Sequence, residues 1–335
     1  MPQVSIIIPV YNVASYLTAC LDSIFAQGVD DTSFEVICVN DCSPDNSREI
    51  VVEQQKKHNN LRLIEHAENR KAGGARNTGV DVAQGEWIWF VDADDTIEQD
   101  ALKKVLYHCR RDNLDALCFN YQLLYEDRTV GEQVFDDSSD VQSGENFLIN
   151  TFADGIIYHL GYPVRTIYRR SVLLDYGIRF PEQWLYGEDT TFMAEAIMYS
   201  RRVTAISDVL YNYRQDVSTS SSAQLAEMKG ERIFESIFSS GDLVLRLMEK
   251  AKEHSTQLAI SIEKGLPWFV NRLFMRLIKT SASERRIFYN LTKQNTIPSS
   301  KLLNYMNKQN YFIVKHQLMG SILLNILAFV YKISR

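Results

Sequence analysis

From "VSIIIPV" near the N-terminus to "DALCFN" at residues 115–120, apolar runs of strand length alternate with segments of helical periodicity. After Asn12, the residues Leu17, Leu21, Ile24 and Phe25 recur at helical spacing and stop before Gly28. "FEVICVN" reads as a second strand, a helix follows from about Ser47 to Lys57, and "LRLI" is a short third strand. A helix beginning near Gly73 and closing at Gly85 leads into "WIWFV", the fourth strand; the helical "ALKKVLYHCRR" leads into "DALCFN", the fifth. Strands separated by helices pair in parallel, and such sheets hold ligands beyond the carboxyl ends of their strands. The expected fold class is therefore α/β, a doubly wound, mostly parallel sheet. Residues from Tyr121 to about Gly144 are polar and turn-rich, which predicts a hairpin or loop excursion. A mixed section follows, with "TIYRR", a helix near "SVLLDYG", then "WLYGEDTTFMAEAIMYS" and "VLYNYR"; beyond about Gln224 the pattern is helical throughout. The chain thus divides into a sheet domain, 1–222, and a helical C-terminal region, 223–335.

The fourth strand ends in an unusual way. Trp87 to Val91 are apolar, and then Asp92, Asp94 and Asp95 arrive within four positions. Carboxylates this close repel one another, and desolvation at the edge of a core raises that cost. Asp41, just beyond "FEVICV", faces the same crevice from another strand end. An Asp-x-Asp there supplies the incomplete oxygen shell of a hard divalent cation, Mg²⁺ or Mn²⁺, and leaves room for a diphosphate. The cation would relieve the repulsion and offset charge on a departing diphosphate. Capping of the helix ahead of "ALKKVL" would account for Asp94 or Asp95, but not for three acids.

Composition narrows the setting. With 45% hydrophobic and 23% charged residues, the 335-residue chain is ordinary for a soluble protein of one large domain or two smaller ones. Cys20, Cys38, Cys42, Cys109 and Cys118 lack paired Cys-x-x-Cys spacing, which argues against a disulfide framework or zinc site and for the reducing cytoplasm. "VSIIIPV" is only strand length and contains Pro9, so no signal peptide is expected. No segment offers the ~20 apolar residues of a membrane span. The net charge of −6 conceals an asymmetry: residues 285–335 contain no Asp or Glu and carry +8, against −14 for 1–284. Within that basic end, the apolar run Leu318–Tyr331 is flanked by Lys315, His316, Lys332 and Arg335. Basic residues around an apolar helix predict an anchor on an anionic membrane surface through 313–335, on the inner face of the membrane. The alternative is a terminal helix completing the core or a dimer interface. No nucleic-acid partner is expected.

"VSIIIPVYN", "VNDCSPD", "NRKAGGARNTG" and "FVDADD" occur in this order, with "GED" about a hundred residues later. As a set they resemble the family 2 glycosyltransferases, which have the GT-A fold, and the resemblance covers roughly residues 3–215. It implies transfer of a sugar from a nucleotide-diphosphate donor, usually UDP-linked, with inversion at the anomeric carbon. The implied acceptor is a hydroxyl of a glycan or lipid-linked glycan in surface polysaccharide synthesis. By the same resemblance Pro9, Tyr11 and Asn12 match the first nucleotide-binding stretch, and Asp41 matches the aspartate that receives uracil N3–H, a role suited to a carboxylate. Arg76 and Asn77 match an element near the nucleotide. Asp92, Ala93 and Asp94 match the metal motif, with Asp94 the more direct ligand and Asp92 nearer the ribose. Asp189 matches the catalytic base, with Glu188 beside it. A sugar hydroxyl is a poor nucleophile, and its proton should leave as the new bond forms. Lys71 stands where many relatives carry glycine; it reaches the diphosphate or uracil rim, or is a solvated loop lysine. Arg214 follows a strand and precedes a Ser/Thr stretch; it holds the diphosphate as a loop closes, or lies on the surface.

Structural roles compete with each of these. Tyr11 and Asn12 also suit a strand end and helix cap, Asp41 a turn cap, Arg76 an ion pair, and Glu188 and Asp189 the first turn of a helix. Two other function classes compete as well. A metal-dependent nucleotidyltransferase would need a Gly-rich, basic phosphate loop where "IPVYN" stands. A non-catalytic nucleotide-sugar-binding subunit would not need both the Asp-x-Asp and the "GED" acid.

Overall fold

The computed structural model describes residues 1–136, 140–153, 162–182, 188–215, 243 and 246–264. Among the described residues nine strands make one sheet: β1 (Val4–Val10), β2 (Phe34–Asn40), β3 (Leu61–Glu65), β4 (Trp87–Phe90), β5 (Thr96–Ile97), β6 (Ala116–Leu124), β7 (Thr129–Glu132), β8 (Thr166–Arg169) and β9 (Val203–Arg214). Their order is β3-β2-β1-β4-β8-β6-β9-β5, with β7 on β6. The helices are α1 (Ala14–Phe25), α2 (Ser47–Gln55), α3 (Lys71–Val82), α4 (Ala101–Arg111), α5 (Gly144–Ala153), α6 (Arg170–Asp175) and α7 (Glu188–Met198).

The first four strands pair in parallel, as their crossover helices require. Both faces of β1, β2 and β4 are covered, which is why these strands read as largely apolar runs, whereas the edge strand β3 is only partly buried. Ile6, Ile8 and Val10 of β1 pack with Leu17, Leu21 and Ile24 of α1 and with Leu102 and Val105 of α4. Ile7 faces the other way, toward Ala75 and Val80 of α3 and Phe192 and Met193 of α7. Helix α3 lies so close to the sheet that a Cβ at Gly79 would fall 2.3 Å from Ile7 Cγ2. That approach seats the helix carrying Arg76 and Asn77.

Beyond β4 the sheet becomes mixed. The fifth strand expected from sequence is β6, and it does not pair with β4. Instead β8 lies between them, antiparallel to both. The hairpin expected after Tyr121 is formed by β6 and β7, with Tyr121–Leu124 as its first arm. Strand β9 then runs parallel to β6 and antiparallel to the two-residue β5, bringing its C-terminal end beside the "DADD" turn.

Part of the expected helical region is described, as helical residues 246–254 and 256–264. Leu247, Met248, Ala251, Leu258, Ala259 and Ile262 are buried in the same core as α5 and α7. The predicted anchor at 313–335 lies outside the described residues. Among the described residues no helix is long and apolar enough to cross a membrane.

Candidate active site

β1 sits at the point where strand order reverses, with β2 on one side and β4 on the other. The site assembles on the residues that follow these strands, where a doubly wound sheet opens its crevice.

The turn after β4 is braced by its last aspartate. Asp95 is 1% exposed; its Oδ2 accepts from Tyr211 Oη at 2.7 Å and its Oδ1 from the Arg214 N–H at 2.7 Å. The Tyr211 oxygen in turn accepts the Asp92 N–H at 3.1 Å. Burial raises the Asp95 carboxyl well above the usual range, with Asp94 and Asp92 adding to the effect. Asp95 is therefore a strut that ties the turn to β9. Neither Asp94 nor Asp95 caps α4, which begins at Ala101 and has its Leu102 N–H taken by Gln27 Oε1 at 3.0 Å. Asp92 and Asp94 remain for the crevice, with the buried Ala93 between them. Burial, with Asp92 alongside, pushes the Asp94 carboxyl up to about 6.

Arg76 joins this turn to α7. The guanidinium is buried; Nη2 donates to Asp92 Oδ1 and Nη1 to Asp189 Oδ1, both at 2.8 Å. It lies 5.0 Å from the centroid of the Phe180 ring. Burial alone would favour losing its proton, but Asp92 and Asp189 outweigh burial and push its pKa up. The ion-pair alternative for Arg76 is thus realised, as a bridge between two candidate site acids. Glu188 and Asp189 open α7, where the helix dipole favours acids. Burial raises both carboxyls: Glu188 reaches about 8 with Asp189 beside it, while Arg76 only partly offsets the rise at Asp189. Glu188 Oε2 is buried with no hydrogen-bond partner among the described residues.

Asn77, matched to the nucleotide side, is engaged elsewhere. Its amide accepts the Phe180 N–H and donates to the Phe180 carbonyl, each at 2.9 Å. It anchors the segment that leads toward α7. Arg214 stands at the Asp-x-Asp turn: Nε donates to the Asp94 carbonyl at 2.9 Å, and the guanidinium packs 5.4 Å from the Tyr16 ring centroid. It is not a free surface arginine.

At the other end of the crevice Asp41 is buried and accepts the Arg70 N–H on Oδ1 at 2.8 Å. Asp41 does not cap its own turn; Asn40 Oδ1 accepts the Ser43 N–H instead, at 3.1 Å. Lys71 is exposed and has φ of +64°. That left-handed conformation is natural to glycine and strained for lysine, which gives a physical reason for a glycine there. Pro9 lies within β1, and Tyr11 is 42% exposed at the crevice mouth. Asn12 does not cap α1, whose N-cap is Val13. The cap comes from the loop after β2: Asp45 Oδ2 accepts the Ala14 N–H at 2.9 Å, and its Oδ1 accepts from the Ser43 and Ser47 hydroxyls, each at 2.6 Å. Burial opposes ionisation there, but the Ser43, Ser47 and Ala14 hydrogen bonds outweigh it and hold the Asp45 carboxyl at about 2.

Sequence reasoning missed Asp45, His66 and Tyr211. The "SPD" turn signalled the first, and the second follows β3 as directly as Asp41 follows β2. Nothing local marked Tyr211, which meets Asp95 across 116 positions.

A parallel half-sheet with aspartates at its carboxyl edge, completed by a mixed half that delivers an acid-bearing helix, defines a glycosyltransferase of the GT-A fold. Residues 5–177 match the family described as Glycosyl transferase family 2, and the chain belongs to that family. It is 30% identical over 264 residues to the putative glycosyltransferase EpsH of Bacillus subtilis, spanning 77% of this chain and 73% of EpsH. It is 33% identical over 214 residues to the poly(ribitol-phosphate) beta-N-acetylglucosaminyltransferase TarS of Staphylococcus aureus, spanning 64% of this chain but 35% of TarS. The crystal structure of S. aureus TarS 1-349 in complex with UDP-GlcNAc superposes with a TM-score of 0.75 at 24% identity, covering 99% of this chain and 92% of that one. The mannosyltransferase PcManGT from Pyrobaculum calidifontis, in complex with GDP-Man and Mn²⁺, gives 0.54 at 18% identity, covering 98% and 86%. At these identities the likeness is one of fold.

Proposed function

We propose that the protein is an inverting glycosyltransferase that moves a sugar from a UDP-sugar to a hydroxyl of a glycan or lipid-linked acceptor in surface polysaccharide assembly. The observation that carries this reading is the Arg76 bridge. One guanidinium binds Asp92 of the metal motif and Asp189 of α7, so the leaving-group side and the base side of a single displacement lie within its span.

Asp189 is the general base, with 30% of its side chain exposed to the crevice. Its task is to take the proton of the acceptor hydroxyl as the sugar–oxygen bond forms. Arg76 opposes the burial that would otherwise keep this carboxyl protonated. Glu188 supports it from the adjacent position. The donor set suits Mg²⁺ or Mn²⁺: Asp92 and Asp94 offer hard oxygens, and two carboxylates beside a substrate diphosphate are what such a cation commonly uses. When bound there, the cation supplies charge stabilisation to the departing diphosphate. Arg214, held against the Asp94 carbonyl and Tyr16, adds a fixed positive charge on the same side. Asp41 receives uracil N3–H, and Pro9, Tyr11, Asn12 and Lys71 border the nucleoside. The name of TarS, a poly(ribitol-phosphate) beta-N-acetylglucosaminyltransferase, supports a polymer acceptor. A cytoplasmic location, peripheral on the membrane's inner face through 313–335, would bring the enzyme to lipid-linked acceptors.

Asp189→Asn tests the chemistry. The variant keeps shape but cannot take a proton, so turnover of UDP-sugar in the presence of Mn²⁺ should fall roughly 10²- to 10⁴-fold. UDP affinity should stay near wild type. Near-normal transfer, or an equal loss of UDP binding, would remove Asp189 as the base.

A further inference from the structure

Asp41 is held by a network that the transfer reaction itself does not require. β2 and β3 pair with Asn40 opposite Glu65, so the next residues along, Asp41 and His66, lie side by side with their side chains nearly covered. His66 Nδ1 is 2.7 Å from Asp41 Oδ1, and its Nε2 is 2.9 Å from Thr78 Oγ1. Arg70 donates Nη1–H to the same Thr78 oxygen at 3.1 Å and its backbone N–H to Asp41 Oδ1 at 2.8 Å. The contacts place a donor at Nδ1, because a carboxylate oxygen can only accept: Nδ1–H donates to Asp41, and Nε2 is held by the Thr78 hydroxyl. Oδ1 then receives two donors, which fills its lone pairs. Oδ2 accepts from neither, and it is the oxygen left for a ligand.

We propose that His66 is a positioning residue that sets base specificity: by filling, together with the Arg70 N–H, the lone pairs of Asp41 Oδ1 it leaves one carboxylate oxygen, which matches uracil and rejects guanine. Uracil presents a single imide N–H on this edge. Guanine presents adjacent N1–H and N2–H donors that call for both oxygens of a carboxylate. Cytosine is refused differently, because its N3 is an acceptor facing an acceptor. The proposal rests on the reading that Asp41 receives uracil N3–H. A polar site left with unmatched groups discriminates strongly, whereas a His66 that merely braced the β2–β3 edge would change stability and not the ratio of affinities.

Calorimetric titration of the full chain with UDP, GDP and N3-methyl-UDP, each with Mn²⁺, tests it. Wild type should bind UDP at least about 10-fold more tightly than either N3-methyl-UDP or GDP. His66→Leu should lower the UDP-to-GDP affinity ratio by roughly 10-fold. His66→Asn, whose amide N–H can stand at the Nδ1 position, should restore the ratio to within about 3-fold of wild type. Thr78→Val removes the hydroxyl that fixes Nε2 and should shift the ratio in the same direction as His66→Leu. An unchanged ratio in His66→Leu, with N3-methyl-UDP still rejected by wild type, overturns the proposal and leaves the Asp41 reading standing. Equal binding of UDP and N3-methyl-UDP by wild type overturns that reading and the proposal with it. Should His66→Leu fail to fold, a wild-type ratio in Thr78→Val overturns the proposal on its own.

Discussion

A buried guanidinium shared by two carboxylates depends on geometry as much as on charge, and Arg76 is such a group. Lysine is a compact point charge and cannot present two donors to Asp92 and Asp189 at once. Arg76→Lys should therefore keep the fold but cut turnover by about 100-fold, because one of the two carboxylates loses its placement. Steady-state assays of UDP-sugar turnover beside a thermal melt will separate the two effects; turnover within a factor of about 3 of wild type would deny Arg76 its bridging role. The candidate acids stand in the motifs "FVDADD" and "GED", each of which is local text. The bridge between them was not legible there, because Arg76 meets Asp189 across 113 positions and only the packing of α3 and α7 on β4 decides it. The same limit explains Asn77, whose motif placed it near the nucleotide while its amide serves the Phe180 backbone. Lys71 shows the reverse: a departure visible in the text stands at a left-handed dihedral that would suit glycine better.

At the scale of elements, α1 begins without a cap of its own and borrows one from the β2–α2 loop. Asp45 serves the Ala14 N–H and gathers Ser43 and Ser47, so it joins two helix starts beside the crevice. Its carboxyl lies at about 2 in the fold against roughly 3.9 in an unfolded chain. A depressed folded pKa contributes stability that is complete above the unfolded value and is lost as pH falls through the folded one. Asp45→Ala should thus destabilise the protein by about 1–2 kcal/mol at pH 7, and the gap from wild type should close between about pH 4 and pH 2. Urea titrations at several pH values will show this; a gap independent of pH would mean that lost packing, not the charge, sets the cost. β1, β2 and β4 were readable because burial on both faces writes them as largely apolar runs. β5 is two residues long and carries no pattern. β8 was recognised as a segment, but its insertion between β4 and β6 is a long-range choice that no local periodicity encodes.

At the scale of the whole molecule, the described part of the C-terminal third belongs to the core. Residues 246–264 bury six apolar side chains against α5 and α7, and Lys250 pairs with Glu195 on α7. Ending the chain after residue 242 strips that cover and should abolish cooperative unfolding, since each buried aliphatic contributes roughly 1.5–3 kcal/mol. The basic run from Arg285 to Arg335 poses a different question, because its +8 opposes the −14 of the rest. A basic residue near an anionic surface contributes about 1 kcal/mol, and salt screens it. The full chain should therefore sediment with phosphatidylglycerol vesicles at low salt and be released from them at high salt. A chain ending at Tyr311 keeps the docked helical residues and loses the apolar run with its flanking charges. It should unfold as cooperatively as the full chain, bind UDP with unchanged affinity and stay in the supernatant. If that shorter chain instead loses UDP binding or its melting transition, the segment beyond 311 belongs to the core. If it still sediments with the vesicles, the contact with lipid lies elsewhere on the molecule.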